Sequence, residues 1–313
     1  MSSRLRELCQ ERSRPIVTAE LPTIDVGGLD EVRRRVAPLA SYVDAVNATD
    51  NTAAHAHASN VAIAIALMRL DVEPVLQVVC RDKNRLALQA DILGASLHGV
   101  VNIACLTGDD VTAGDEPEAR RVFDCDGPQL VAIAEGMRSG TTLAGRPLDP
   151  APDLFLGAVE NPGAPPLAHR PERAAKKAAA GARFLQLQIS YRPEQLEAFV
   201  AGARALGVTD RCALLPTICL VSGDRALRFM DERVPGISVP AATIERIARS
   251  SDPGEETYQL ALEQARHALA IDGVAGLHLT SFRRDNAIAR LCDDLGLGAG
   301  NAAPARLEEA SPS

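Results

Sequence analysis

The residues of this sequence that could transfer a proton or hold a polar ligand stand at or just after the ends of short apolar runs. Glu20 lies near the end of the run 15–21, and Thr107, Gly108 and Asp109 follow the run 100–106. A positioned carboxylate can donate a proton or stabilise a developing cation. Other polar residues occupy equivalent positions: Asn47, Asp50, Gln77, Arg81, Asp82, Glu160, Asn161, Gln186 and Gln188. Carboxylates and amides therefore dominate the candidate chemistry.

The elements that must position these residues alternate along the chain. Apolar runs typical of buried strands occur at 15–21, 42–48, 74–80, 100–106, 153–159, 183–190, 212–218 and 276–282. Segments with helical spacing of apolar residues separate them. Strands that are apolar on both faces and alternate with helices form parallel sheets. Eight such units predict one α/β domain, a (β/α)8 TIM barrel over 1–296.

Two regions depart from this rhythm. The segment 221–272 contains at least two helical patterns, which predicts extra helices before the last strand. Residues 297–313 are rich in Ala, Pro, Ser and Gly without an apolar period, which predicts a disordered tail.

A barrel brings the carboxyl ends of its strands to one rim, where active sites of this architecture lie. Gln186 and Gln188 are two residues apart, so both face the same side of their strand. Each polar residue taken alone is equally well explained as a loop cap or a rim hydrogen bond. Their occurrence at one rim favours a functional site.

Charge and composition exclude several classes of partner. The chain has 33 Lys and Arg against 41 Asp and Glu, a formal net charge of -8, which disfavours nucleic acid. The longest apolar stretch, 61–70, is too short to span a bilayer, and the first residues lack the apolar core of a signal peptide. We therefore expect a cytoplasmic protein without membrane contact. The seven widely spaced cysteines are expected to be buried thiols.

Other chemistries fit the residues poorly. Schiff-base chemistry needs a lysine on a strand, but Lys83, Lys176 and Lys177 fall in helical segments. His55 and His57 could hold a metal with Asp50, although an isolated pair of this kind is more often a cluster at the start of a helix. We predict no metal site.

The rim residues resemble those of the methylenetetrahydrofolate reductase family from about residue 15 to residue 297. The segment TAELP, with Glu20, resembles the family motif FEFFPP, and Thr107-Gly108-Asp109 stands at the family's RGD. KAAAGARFLQLQISY (177–191) resembles KVDAGANRAITQFFF and puts Gln188 at the glutamine that holds the pterin. LLPTI (214–218) resembles the family's ILP motif. LHLTSFRRDNA (277–287) resembles HFYTLNRAE and puts Arg284, with Arg283 as a rival, at the arginine for the folate tail.

The resemblance implies reduction of 5,10-methylenetetrahydrofolate to 5-methyltetrahydrofolate, a step of one-carbon metabolism towards methionine. Glu20 would protonate N10, with a pKa raised by burial. Asp109 would stay ionised and stabilise the iminium cation. Gln188, Gln186, Asp109 and Arg284 would bind the folate.

Departures from the family concentrate where its members hold FAD. Gln77 replaces a histidine, Thr107 replaces the arginine of RGD, and VNATDN (46–51) replaces a TYG-type segment, which leaves Lys177 to meet a phosphate. We therefore expect NADH or NADPH to donate hydride directly, without FAD. The predicted nicotinamide or residual flavin site comprises Asn47, Asp50, Gln77, Thr107, Gly108, Glu160 and Lys177.

Alternatives remain open from the sequence alone. They are an ordinary FAD-dependent reductase, a non-catalytic folate-binding accessory subunit, and, with less support, a corrinoid or homocysteine methyltransferase. The choice of NADH or NADPH stays open, and a homo-oligomer is compatible with the sequence.

Overall fold

The structure of the chain, a computed structural model, describes residues 3–234, 236–282, 286–297 and 307. In this part of the chain, eight parallel strands close into a barrel in the order β1 to β8. The predicted (β/α)8 architecture is therefore confirmed. Most of the predicted disordered tail, 297–313, lies outside the described residues.

Each of the eight apolar runs overlaps one strand. The strands are β1 (Ile16–Glu20), β2 (Ala45–Ala48), β3 (Pro74–Val79), β4 (Asn102–Leu106), β5 (Phe155–Glu160), β6 (Phe184–Leu187), β7 (Ala213–Leu220) and β8 (Gly276–Ser281). The helices are α1 (Arg4–Glu11), α2 (Gly28–Ala40), α3 (Asn60–Arg69), α4 (Arg85–Ser96), α5 (Gly127–Arg138), α6 (Arg170–Ala180), α7 (Pro193–Ala205), α8 (Asp224–Arg233), α9 (Ala241–Arg249), α10 (Pro253–Ala270) and α11 (Ala287–Asp294).

An apolar floor closes the amino-terminal end of the barrel. Helix α1, which the sequence analysis did not predict, packs Leu5 and Leu8 into a cluster with the first inward-facing side chains of the strands. The rings of Phe155 and Phe184 stack in this cluster with centroids 5.7 Å apart. Gly157 is required beside them, because a Cβ at that position would overlap the Phe184 ring.

Above this floor the barrel interior becomes polar. Alternation along β1 turns Ile16, Thr18 and Glu20 inwards, while Val17 and Ala19 face the surrounding helices. The buried polar side chains that share this level include Thr18, Asn47, Gln77, Gln186 and His278. The carboxyl end of the barrel is thus built for polar contacts and its amino end for packing.

The predicted extra helices before β8 are present as α8, α9 and α10. They enclose a small separate core that includes Tyr191, Leu227, Met230 and Ile247. No helix in the described ranges is long and apolar enough to cross a membrane.

All seven cysteines are buried, as the sequence analysis predicted. Burial raises the pKa of Cys105 to about 12, so this thiol stays protonated at neutral pH.

Candidate active site

Glu20 lies at the mouth of the barrel, at the last position of β1. Its Oε2 accepts a hydrogen bond from Thr280 Oγ1 at 3.0 Å, and its Oε1 lies 3.8 Å from His278 Nε2. Both partners come from the neighbouring strand β8. The Glu20 side chain keeps 29% of its surface exposed, so a ligand at the mouth can reach it.

The protonation of Glu20 differs from the sequence-based expectation. Burial by itself raises the pKa of this carboxyl group, but the contacts of the carboxylate with His278, Thr280 and Gln77 outweigh it. The pKa of Glu20 is consequently lowered. The expectation of a raised pKa was wrong because it counted desolvation and omitted the donors that the barrel brings to the carboxylate.

A buried hydrogen-bond network lies behind Glu20. His278 Nδ1 is 2.8 Å from Thr18 Oγ1 and 3.2 Å from Gln186 Nε2. Gln186 and Asn47 exchange two hydrogen bonds, at 2.8 and 3.0 Å. Asn47 and Gln186, predicted to hold cofactor and folate respectively, therefore lie buried below the mouth and bond to each other.

His278 contacts the predicted acid Glu20, and the sequence reasoning did not include it among the candidate site residues. It stands between two leucines in an apolar run and is 3% exposed, a pattern usually typical of a packed core residue. The available signal was its spacing: it lies two residues before Thr280 and so shares the inward face of β8.

The turn after β4 presents Asp109 at the rim. Gly108 has φ +90°, and a Cβ there would lie 2.7 Å from Val79 Cγ1, so the turn requires glycine. Asp109 is exposed as a residue, but partial desolvation of its carboxylate raises its pKa, while the charge of Arg81 opposes that effect. The pKa of Asp109 is raised overall, and Arg81 is the nearby charge that favours its ionised form. Thr107 Oγ1 accepts a hydrogen bond from Gly127 N at 2.9 Å and connects this turn to α5.

Arg81 supplies the cation below this rim and is 2% exposed. Its guanidinium donates to both carboxylate oxygens of Asp82 at 2.7 Å and to Asn51 O at 2.9 Å. These contacts orient a positive charge towards the turn that carries Asp109.

Gln188 follows the end of β6 and lines a cavity of about 330 Å³. Tyr191, Thr217 and Gln264 also line it. Most of the lining comes from β7, α7 and α10, and neither Glu20 nor Asp109 is part of it, so this cavity does not join Gln188 to the predicted catalytic carboxylates.

Glu160 and Lys177, predicted to hold a cofactor, lie outside the barrel between β5 and α6. Lys177 Nζ donates to Glu160 Oε2 at 2.5 Å, and the two side chains are only 6% and 2% exposed. Asp50 is likewise occupied, because it accepts from Lys83 Nζ at 2.8 Å and from Val79 N at 3.0 Å. The structure brings none of these three side chains to Glu20.

Two predicted arginines and the predicted histidine pair complete the candidate residues. Arg283 and Arg284 lie outside the described residues. His57 Nδ1 is 2.8 Å from Asp25 Oδ1, whereas Asp50 turns to Lys83 and does not join the histidines. The described ranges contain no group of three or more potential metal ligands.

Comparison with known proteins agrees with the resemblance seen in the motifs. The family model of methylenetetrahydrofolate reductase matches residues 26–296, which include seven of the eight strands and most of the rim. The chain belongs to the methylenetetrahydrofolate reductase family. Membership supports reductase activity at the level of the family, whose members normally use flavin and NAD(P)H.

Two solved structures show the same fold at low identity. One is an uncharacterized protein from Clostridium thermocellum, described as binding two copies of 5-methyl-5,6,7,8-tetrahydrofolic acid. It is 14% identical over 94% of this chain and 99% of that one, with a TM-score of 0.65. The other is DmoA from Hyphomicrobium sulfonivorans, 10% identical over 93% and 90% of the two chains, with a TM-score of 0.50.

Proposed function

We propose that this chain reduces 5,10-methylenetetrahydrofolate to 5-methyltetrahydrofolate by direct hydride transfer from NADH or NADPH, without bound flavin. Family membership supports the reductase reaction. The Clostridium thermocellum protein of the same fold binds the methylated folate that this reaction would produce. We extend folate binding to this chain on that basis, with Gln188 and Asp109 as its contacts at the rim.

The main support for a reaction without bound flavin is the ion pair between Lys177 and Glu160. Lys177 was the residue left to meet a flavin phosphate, but its ammonium group is buried and bonded to Glu160 Oε2 and Val159 O. Meeting a phosphate would require breaking this pair and leaving Glu160 buried without it, which is costly. Of the residues at the other family flavin positions, Thr107 accepts a hydrogen bond from Gly127 N, and Gln77 is buried in the barrel interior near Glu20, whose pKa it lowers. Because these side chains are already engaged within the protein, they are poorly suited to bind FAD.

The reaction needs one proton and one hydride. Protonation of N10 breaks the bond between N10 and the bridging carbon, which leaves an iminium cation at N5. Hydride from C4 of the reduced nicotinamide then converts the iminium carbon to the methyl group and releases the oxidised nicotinamide. Asp109, at the rim, would stabilise the cation electrostatically.

Glu20 is the proton donor in this proposal, and His278 supports it. In the ligand-free chain the hydrogen bonds to Glu20 favour its carboxylate form. A folate that covers the mouth excludes water and increases desolvation, which shifts the carboxyl group towards its neutral form. The neutral acid can then protonate N10 without exchange with bulk water.

The test measures anaerobic NADH and NADPH oxidation with methylenetetrahydrofolate, with and without added FAD. We expect a colourless protein, turnover independent of FAD, and intersecting initial-rate plots that indicate a ternary complex. Deuterium from stereospecifically labelled C4 of the nicotinamide should appear in the methyl group.

Stoichiometric bound FAD, parallel plots or loss of the label to solvent would instead indicate the ordinary flavin-dependent reductase. Folate binding without turnover under any of these conditions would indicate the accessory subunit.

A further inference from the structure

Two buried amides bond to each other across the interior of the barrel. Asn47 on β2 and Gln186 on β6 are 139 residues apart in sequence and are 0% and 2% exposed. Asn47 Nδ2 donates to Gln186 Oε1, and Gln186 Nε2 donates to Asn47 Oδ1. A buried amide without partners is costly, so each of these residues satisfies the other. Neither is exposed to a ligand at the mouth.

The orientation of this amide pair determines which group of Gln186 faces Nδ1 of His278. Gln186 Nε2 lies 3.2 Å from His278 Nδ1 and 3.3 Å from Thr18 Oγ1. Gln186 Nε2 has two protons, of which one goes to Asn47 Oδ1 and the other points at Nδ1 and Thr18 Oγ1. The Thr18 hydroxyl, 2.8 Å from Nδ1, can then donate its own proton to the ring, so all these contacts are satisfied when Nδ1 presents its lone pair. The proton of the neutral imidazole then lies on Nε2, the atom that faces Glu20 Oε1.

The opposite orientation of the amide pair would have the opposite effect. With Gln186 Oε1 next to the ring, Nδ1 would have to carry the proton and Nε2 would offer Glu20 a lone pair. The two orientations therefore deliver different groups to the same carboxylate, although both keep the amides satisfied.

We infer that Asn47 and Gln186 are positioning residues whose mutual pairing holds His278 in the Nε2–H tautomer and directs its proton at Glu20. Neither residue touches the reacting atoms. The use of this proton in reducing a folate rests on the proposed function, but the tautomer itself does not.

Nitrogen NMR of the ligand-free, full-length protein labelled with 15N-histidine tests the tautomer. The signal of His278 is assigned by its loss in His278→Asn. We expect Nδ1 of His278 to resonate as an unprotonated nitrogen and Nε2 as a protonated one near neutral pH. A protonated Nδ1 in the wild-type protein would overturn the inference, and this result needs no variant at the amide pair.

Variants then test the cause. Gln186→Glu replaces the donor next to Nδ1 with an acceptor and should protonate Nδ1. Asn47→Asp still accepts from Gln186 Nε2 and should leave Nδ1 unprotonated. Gln188→Glu is the matched control: it is the same substitution two residues along, at a residue with no hydrogen bond to His278 among the described residues, and the His278 signals should not change. An unchanged His278 spectrum in folded Gln186→Glu would overturn the inference.

Kinetics separate this inference from the proposed function. If both hold, Gln186→Glu lowers kcat by more than about tenfold and changes the KM for folate by less than about twofold. The expected tautomer in a wild-type protein without reductase activity would refute the proposed function and support the inference. A reductase whose His278 carries its proton on Nδ1 would support the proposed function and refute the inference.

Discussion

The buried ion pair between Lys177 and Glu160 makes a quantitative prediction about Lys177→Met. The substitution removes the 2.5 Å contact and leaves a carboxylate whose side chain is 2% exposed. Breaking a buried pair in this way costs about 3–5 kcal/mol. Arg170 at 3.4 Å and Arg173 at 4.0 Å remain near Glu160, so we expect a value near the lower end, about 3 kcal/mol.

Thermal and urea unfolding followed by far-ultraviolet circular dichroism measure this loss. At about 2 °C per kcal/mol for a chain of this size, Tm should fall by about 6 °C. The matched control is Arg138→Met, which removes a pair with Glu135 whose side chains are 45% and 28% exposed. Such a surface pair contributes about 0–1 kcal/mol.

A double variant completes the cycle. Lys177→Met combined with Glu160→Leu should recover more than half of the loss, because apolar replacement of a buried pair is often neutral. A Lys177→Met variant no less stable than Arg138→Met would refute the argument that this charge is buried and engaged, and with it the main support for a flavin-free site.

Four further predictions follow from the site and the floor. Glu20→Gln should bind folate but lower kcat by about 10²- to 10⁴-fold in steady-state assays, and near-native turnover would exclude Glu20 as the acid. Gln188→Ala should raise the KM for folate about fivefold with little change in kcat, as expected for loss of about 1 kcal/mol; an unchanged KM would make Gln188 structural. Because the pKa of Glu20 is lowered in the free protein, its protonated fraction falls as pH rises, so kcat/KM should decrease with pH across the neutral range; a rise would contradict this role. Gly157→Ala should destabilise the protein by about 1–3 kcal/mol through overlap with Phe184, whereas Gly94→Ala, with open space at its Cβ, should not; equal melting temperatures would argue against the packed floor.

The fold could be predicted because its strands are buried on both faces and its helices carry the usual apolar spacing. Helix α1 escaped prediction because it has only two turns and most of its residues are polar or charged. Its apolar residues can be recognised as a buried face only when the barrel floor that they cover is known.

The position of Glu20 could be predicted because it lies at the end of a strand. Positions that depend on whether a side chain faces into or out of the barrel were harder to predict. Phe155 faces the interior, so alternation turns Gly157 and Val159 inwards and Glu160 outwards. A residue at the end of a strand is therefore not necessarily at the mouth. The pairing of Asn47 with Gln186 could not be predicted, because it depends on which strands face each other across a closed barrel.

The floor formed by α1 and the stacked phenylalanines makes the barrel a well that is open at one end. Leu5 and Phe184 are fully buried there, so among the described residues an apolar cluster separates His278 and Glu20 from the solvent below the barrel. Glu20 also lines a cleft beside Arg34, Arg35 and Ser281, so protons have access to it from the upper end of the barrel and not through the floor. In the proposed reaction the folate occupies the mouth, so each catalytic cycle would use a proton that Glu20 takes up as the substrate binds.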